Sequence, residues 1–151
     1  MNEEVLAYWL ANIYGIGRIK IQNLLEYYGS LEEIFKSKEH TLQQVPGLNR
    51  QDQKVLKQHR DYAYWEEQLY QMQKRGIRFV WRGSAGYPPR LYHLADAPFS
   101  LYVRGGLPAT DQPAVAVVGA RNASHEGLEL AGNFGKELAE NGVQVISGLA
   151  R

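Results

Sequence analysis

The sequence predicts an α/β chain: a helical module, then a strand-rich segment, then a βαβ unit. Three observations predict it. Apolar residues recur at helical spacing through the first 75 residues, they alternate with polar ones from Ile77, and residues 115–118 form a continuous apolar run that enters a glycine turn and a helix. At 151 residues, 44% hydrophobic and 22% charged, the chain has the balance of one ordinary globular domain or two small ones, and not of a disordered one.

The helical module is read in order. Val5, Leu6, Trp9, Leu10 and Ile13 make the first apolar stripe, broken at Gly15-Ile16-Gly17. Ile21, Leu24, Leu25 and Tyr28 make the second, which Gly29 stops. Ser30 with Glu33 is a capping-box pattern opening a short helix through Leu31, Ile34 and Phe35, and Thr41 with Gln44 repeats it before Val45-Pro46-Gly47-Leu48. Asn49 then caps one long helix predicted to run through Val55, Leu56, Tyr62, Trp65, Leu69 and Met72 to Gly76.

From Ile77 the period is two. Ile77, Phe79 and Trp81 share one strand face, and Arg78, Val80 and Arg82 the wetter one. Tyr87-Pro88-Pro89 must be extended or turned, and Leu101-Tyr102-Val103 is a second short strand. Residues 105–113 are the best linker candidate. Residues 115–118 are expected to be a buried strand, followed by a helix with Leu128, Ala131, Leu138 and Ala139 on one face and a parallel strand at 143–146. Two parallel strands and one helix leave both sheet edges and an apolar face uncovered, so this chain is expected to be a piece of a longer protein.

Several classes fall away on composition. Cysteine is absent, which excludes disulfides and thiolate metal sites, and the four His (40, 59, 93, 125) lack ligand spacing. The acidic start is unlike a signal peptide, and no apolar run approaches the roughly 20 residues of a membrane span, so a cytoplasmic protein without a membrane partner is expected. Net charge is only +1, although residues 50–90 hold nine Lys/Arg against four Asp/Glu, and residues 1–49 four against six.

The first candidate site is the turn from strand to helix at Gly119-Ala120-Arg121-Asn122. Ligands of open α/β sheets bind beyond the carboxyl ends of the strands, where a helix N-terminus offers amide donors to phosphate. Gly119 allows a tight turn and close approach, Arg121 supplies a planar guanidinium, and Ser147-Gly148 leaves the neighbouring strand at the same end. The competing account is an ordinary βα turn with Arg121 on the surface. Arg121 stands where a dinucleotide fingerprint needs glycine, and no Gly-Lys-Ser/Thr follows, so NAD and ATP are poor ligands and no cofactor is expected.

The second candidate is a pair of helix-hairpin-helix turns, Gly15 and Gly17 followed by Arg18 and Lys20, and Gly47 followed by Arg50 and Lys54. Such hairpins aim backbone N–H groups at DNA phosphates; glycines that only cap helices would read the same way. The third is the aromatic and basic segment 62–92, where core packing is the better account of Trp65, Phe79 and Trp81. No nucleophile elbow or paired-carboxylate loop is present, so catalysis is not expected.

Val117-Val118-Gly119-Ala120-Arg121 and Val145-Ile146-Ser147-Gly148-Leu149-Ala150-Arg151 resemble the start of the Rossmann-like domain of the DprA (Smf) family of bacterial DNA-processing proteins. Tyr87-Pro88 with Leu91, Asp96 and Pro98, then Leu101 to Gly105, resembles that family's lead-in, and the double hairpin resembles its helical accessory domain. The resemblance implies a SAM-like/helix-hairpin-helix domain over 1–75 and, over 76–151, the lead-in and first βαβ unit of an extended Rossmann-like fold. It implies a non-enzymatic protein that binds single-stranded DNA, helps load the RecA recombinase in natural transformation, and is a homodimer at full length. Gly119, Arg121, Asn122, Ser147 and Gly148 are the expected pocket residues. Ala120 departs from the Ser or Thr common there, and the pocket's remaining basic residue and the RecA surface would lie beyond Arg151, so this chain alone is expected to bind DNA weakly. Other classes would be a nucleotide-hydrolysing Rossmann-like enzyme or a helical protein-interaction module.

Overall fold

The computed structural model describes residues 1–148. It is a mixed helix-and-sheet structure of two compact units, Met1–Gly106 and Leu107–Arg151. No helix among the described residues is long and apolar enough to cross a membrane.

In the first unit α1 (Glu3–Ala11) is the central helix, burying Val5, Leu6, Ala7, Trp9 and Leu10. Asn2 caps it by accepting from Glu4 N at 2.9 Å. Around it lie α2 (Arg18–Tyr28), α3 (Leu31–Lys36), α4 (Glu39–Leu42), α5 (Arg50–Gln58) and α6 (Tyr62–Lys74). Leu24, Ile34, Leu42 and Leu56 are fully buried beside Trp9 and Leu10, each contributing about 1.5–3 kcal/mol relative to exposure. Gly29 ends α2 at φ 78°, its N–H donating to Leu25 O.

Two helix boundaries differ from expectation. Thr41 is no N-cap: it lies inside α4, its hydroxyl donating to Lys38 O at 2.8 Å and accepting from the Tyr28 hydroxyl. The long helix predicted from Asn49 is two helices, because Asp61 starts a second by accepting from Tyr64 N at 3.1 Å. Arg60, between them, turns away to cap the C-terminus of α3 through Ile34 O and the Ser37 hydroxyl and carbonyl. Burial pushes the guanidinium pKa below its ordinary value, opposed by Tyr28.

The sheet of this unit is an antiparallel pair, β1 (Ile77–Trp81) with β2 (Ser100–Arg104), in register from Ile77↔Arg104 to Trp81↔Ser100. One face packs on the helices: Phe79 meets Tyr8 edge-on, and the Tyr102 hydroxyl donates to Asn12 Oδ1 at 2.9 Å. The other face is drier than the sequence predicts, since Val80 is buried as well as Phe79. The connection between the strands, which includes α7 (Pro89–Tyr92), folds back over it, with Tyr87 buried and its hydroxyl donating to Pro98 O. The helices and the antiparallel pair lie together in the unit Met1–Gly106. The break between units falls at Gly106, in the predicted linker.

The second unit contains β3 (Ala114–Ala116), α8 (His125–Glu140) and β4 (Gln144–Ile146), with β3 and β4 parallel as predicted. Burial of the first strand was also expected, and here the structure differs: β3 is exposed throughout, as are Leu128, Leu130 and Phe134 of α8. Two strands and one helix supply too few neighbours to cover them.

Asp52 is the polar hub of the helical unit. Its carboxylate accepts from Asn49 N at 2.9 Å and from Lys20 Nζ at 2.7 Å, and its own N–H donates to Asn49 Oδ1, completing a capping box. Asp52→Ala should lower the unfolding free energy by about 2 kcal/mol, the sum of a lost cap and a lost charged hydrogen bond. Urea titration reads this as an earlier midpoint at unchanged slope. An unmoved midpoint would mean the two hairpins hold together without it.

Candidate nucleic-acid interface

The parallel register Ala114↔Gln144, Val115↔Val145 and Ala116↔Ile146 sends two loops out of the same end of the strand pair. Val117 N extends the ladder by donating to Ile146 O at 2.9 Å. Gly119, Arg121 and Asn122 thus follow one strand and Ser147 and Gly148 the other, all beyond the carboxyl ends. Parallel pairing requires a crossover, and α8 supplies it.

Arg121 is exposed and makes no hydrogen bond or ion pair with a described residue. Neither Gly119 nor Gly148 takes a left-handed φ, and a Cβ at either would meet nothing within 4 Å. Internal crowding therefore does not require glycine at these positions; what glycine provides is bare backbone toward solvent. The tight turn expected of Gly119 is made without left-handed backbone.

The start of α8 is organised by Ser124, whose hydroxyl accepts from Gly127 N at 3.1 Å. One first-turn amide is thereby satisfied and the helix dipole still points its positive end at the loop. Glu126 in the first turn opposes an incoming anion. The Arg121 guanidinium is therefore the strongest attraction for phosphate on this loop.

In the helical unit the structure separates the two hairpins. At the first, Gly15 has φ 84°, but both cations that follow bond to the protein itself. Arg18 Nη1 donates to Ala95 O at 2.8 Å, and Lys20 Nζ to Gly15 O at 2.9 Å as well as to Asp52. Gly17 caps α2 with extended backbone and no side-chain bond. At the second hairpin Gly47 has φ 77°, and a Cβ there would press on Asn23 Nδ2 at 3.1 Å. That nitrogen donates to Pro46 O at 2.8 Å, while Arg50 opens α5 and stays exposed. The hairpins are thus joined through Lys20–Asp52 and Asn23–Pro46.

The third candidate is largely core. Trp65 and Phe79 are buried, Trp65 Nε1 donates to His59 O, and Trp81 stacks on Phe79. Sequence reasoning missed Asn23 and Asp52. The spacing Asn49-x-x-Asp52 was the legible signal for the latter, whereas nothing local announces Asn23. Leu149, Ala150 and Arg151, which complete the second motif, lie outside the described residues.

Residues 78–151 match the family described as DNA recombination-mediator protein A. The chain is 38% identical over 85 residues to Protein Smf of Borreliella burgdorferi, covering 56% of this chain and 26% of that protein. It is 30% identical over 142 residues to Protein Smf of Escherichia coli, covering 94% of this chain and 36% of that protein. The chain therefore spans about a quarter to a third of the length of these curated relatives.

Ser124→Ala removes the α8 cap, with an expected cost of about 1 kcal/mol locally. Amide exchange at residues 126–128 should quicken about fivefold, relative to unchanged exchange in α1. Unchanged protection at those amides would show that the hydroxyl does not hold the loop's entry into the helix.

Proposed function

The chain belongs to the DNA recombination-mediator protein A (DprA/Smf) family through residues 78–151, and we propose that it binds single-stranded DNA by phosphate capture, without chemistry. The observation that carries this reading is the parallel β3–β4 pairing, which gathers the Arg121 loop and Ser147-Gly148 at one end with Arg121 uncommitted to any described residue. Amides at the α8 N-terminus and the exposed backbone of Gly119 and Gly148 hold phosphate oxygens, Arg121 clamps one phosphate in bidentate fashion, and Asn122 and Ser147 add polar contacts.

We read this capture as serving to protect incoming DNA and to load the RecA recombinase during natural transformation, in a cytoplasmic homodimer. That assignment follows the family resemblance. The family match begins at residue 78, which supports reading residues 76–151 as the lead-in and first βαβ unit of a Rossmann-like domain. Residues 1–75 are then a SAM-like/helix-hairpin-helix accessory domain.

Anisotropy of a labelled single-stranded oligonucleotide titrated with the chain tests the pocket. Wild type should bind weakly and lose affinity as salt rises, and Arg121→Ala should weaken binding about tenfold or more at low salt. Affinity left unchanged by the substitution would move the site elsewhere. Turnover of a nucleoside monophosphate, with no DNA binding, would favour a nucleotide-processing enzyme instead.

A further inference from the structure

The helical unit carries a groove between α4 and α5 that the Arg121 pocket does not use. It encloses about 770 Å³, and its lining includes Glu39, Gln43, Arg50, Gln53, Lys54 and Lys57. Residues 50, 53, 54 and 57 fall at i, i+3, i+4 and i+7, one face of α5, while Leu56 is fully buried. Charge on that face is unevenly committed. Lys57 Nζ bonds Glu39 Oε2, whereas Arg50 and Lys54 make no hydrogen bond or ion pair with a described residue.

Gln53 lies on the same face of α5. Its side chain lines the groove, the residue is only 8% exposed, and its side-chain amide makes no hydrogen bond to a described residue. That amide is therefore uncommitted within the described residues and opens onto the groove, where it can donate to what enters. The groove also lies at the start of α5. There Asn49 Oδ1 takes the Asp52 N–H, and the positive end of the helix follows directly on the Gly47 hairpin.

We propose that the α4–α5 groove is a second seat for a nucleic-acid backbone, with Arg50 and Lys54 each engaging a phosphate and Gln53 donating to the strand between them. Arg50 and Lys54 are one helical turn apart, about 5–6 Å between Cβ atoms, close to the step between neighbouring phosphates. A glycine hairpin followed by a helix N-terminus and neutral amide donors suits phosphodiester oxygens better than the side chains of an acidic peptide. The groove stands on its own residues and depends on the DNA reading only for which polyanion enters it.

The test uses the chain with Arg121→Ala, so that the groove is read without the pocket. Anisotropy of a labelled mixed-sequence single strand should show residual, salt-sensitive binding. Adding Arg50→Ala and Lys54→Ala should lower that affinity about tenfold and shallow the slope of log K against log salt by about 1.4, or about 0.7 per phosphate. Gln53→Leu should lower affinity while the urea midpoint stays or rises, a combination that general unfolding would not give. Lys74→Ala with Arg75→Ala removes equal charge elsewhere and should leave affinity within about twofold. Unchanged affinity in the Arg50/Lys54 variant, an equal loss in the Lys74/Arg75 variant, or competition by polyglutamate as strong as by unlabelled DNA would overturn the proposal. Complete loss of binding on Arg121→Ala alone would also overturn it while leaving the pocket reading intact.

Discussion

The Asp52 carboxylate is the interaction on which the helical unit turns. It is nearly buried, and it satisfies the N-cap of α5 and the ammonium of Lys20 together. Because Lys20 also bonds Gly15 O, one side chain fixes the first hairpin against the helix that follows the second. Taking a carboxylate out of water is unfavourable unless its lone pairs are met, and here backbone N–H and ammonium meet them. The cost of this arrangement is that Lys20 is no longer available to a ligand.

The same accounting sorts the other cations. Arg18, Arg60, Arg78 and Arg82 each donate to a backbone carbonyl of a distant segment, at Ala95, Ser37, Gly105 and Tyr92. These guanidiniums hold loops and helix ends, where leaving a carbonyl unpaired would be unfavourable. Arg50, Lys54 and Arg121 make no such bond to a described residue, and neither do Lys38, Arg75 and Arg104. A net charge of +1 conceals this division; Arg50 and Lys54 stand out among the uncommitted cations because they share one groove.

Much of the architecture was legible in the sequence because periodicity reports which face is buried. The apolar stripe of α1, the stop at Gly29, the two short strands beginning near Ile77 and Leu101 and the parallel β3–β4 pair all follow from local pattern. Two features were not legible. The break at His59–Asp61 has no glycine or proline; besides the Asp61 cap, it has Arg60 reaching the end of α3, a contact 26 residues distant in sequence at Ile34. Burial of Val80 on the nominally wet strand face depends on a loop folding back, which alternation cannot encode. At the sites, glycine spacing located both hairpins and the strand-helix turn. It could not distinguish committed cations from free ones, because that depends on partners far along the chain.

The central claim is that phosphate is captured at the carboxyl ends of β3 and β4. The most direct test is amide chemical-shift mapping of the labelled chain with an unlabelled single-stranded oligonucleotide. The account predicts salt-reversible shifts at residues 119–125 and 147–148, with the Arg121 guanidinium signals among the most displaced. Saturable binding with those signals unmoved and shifts gathered on β1 and β2 would contradict it.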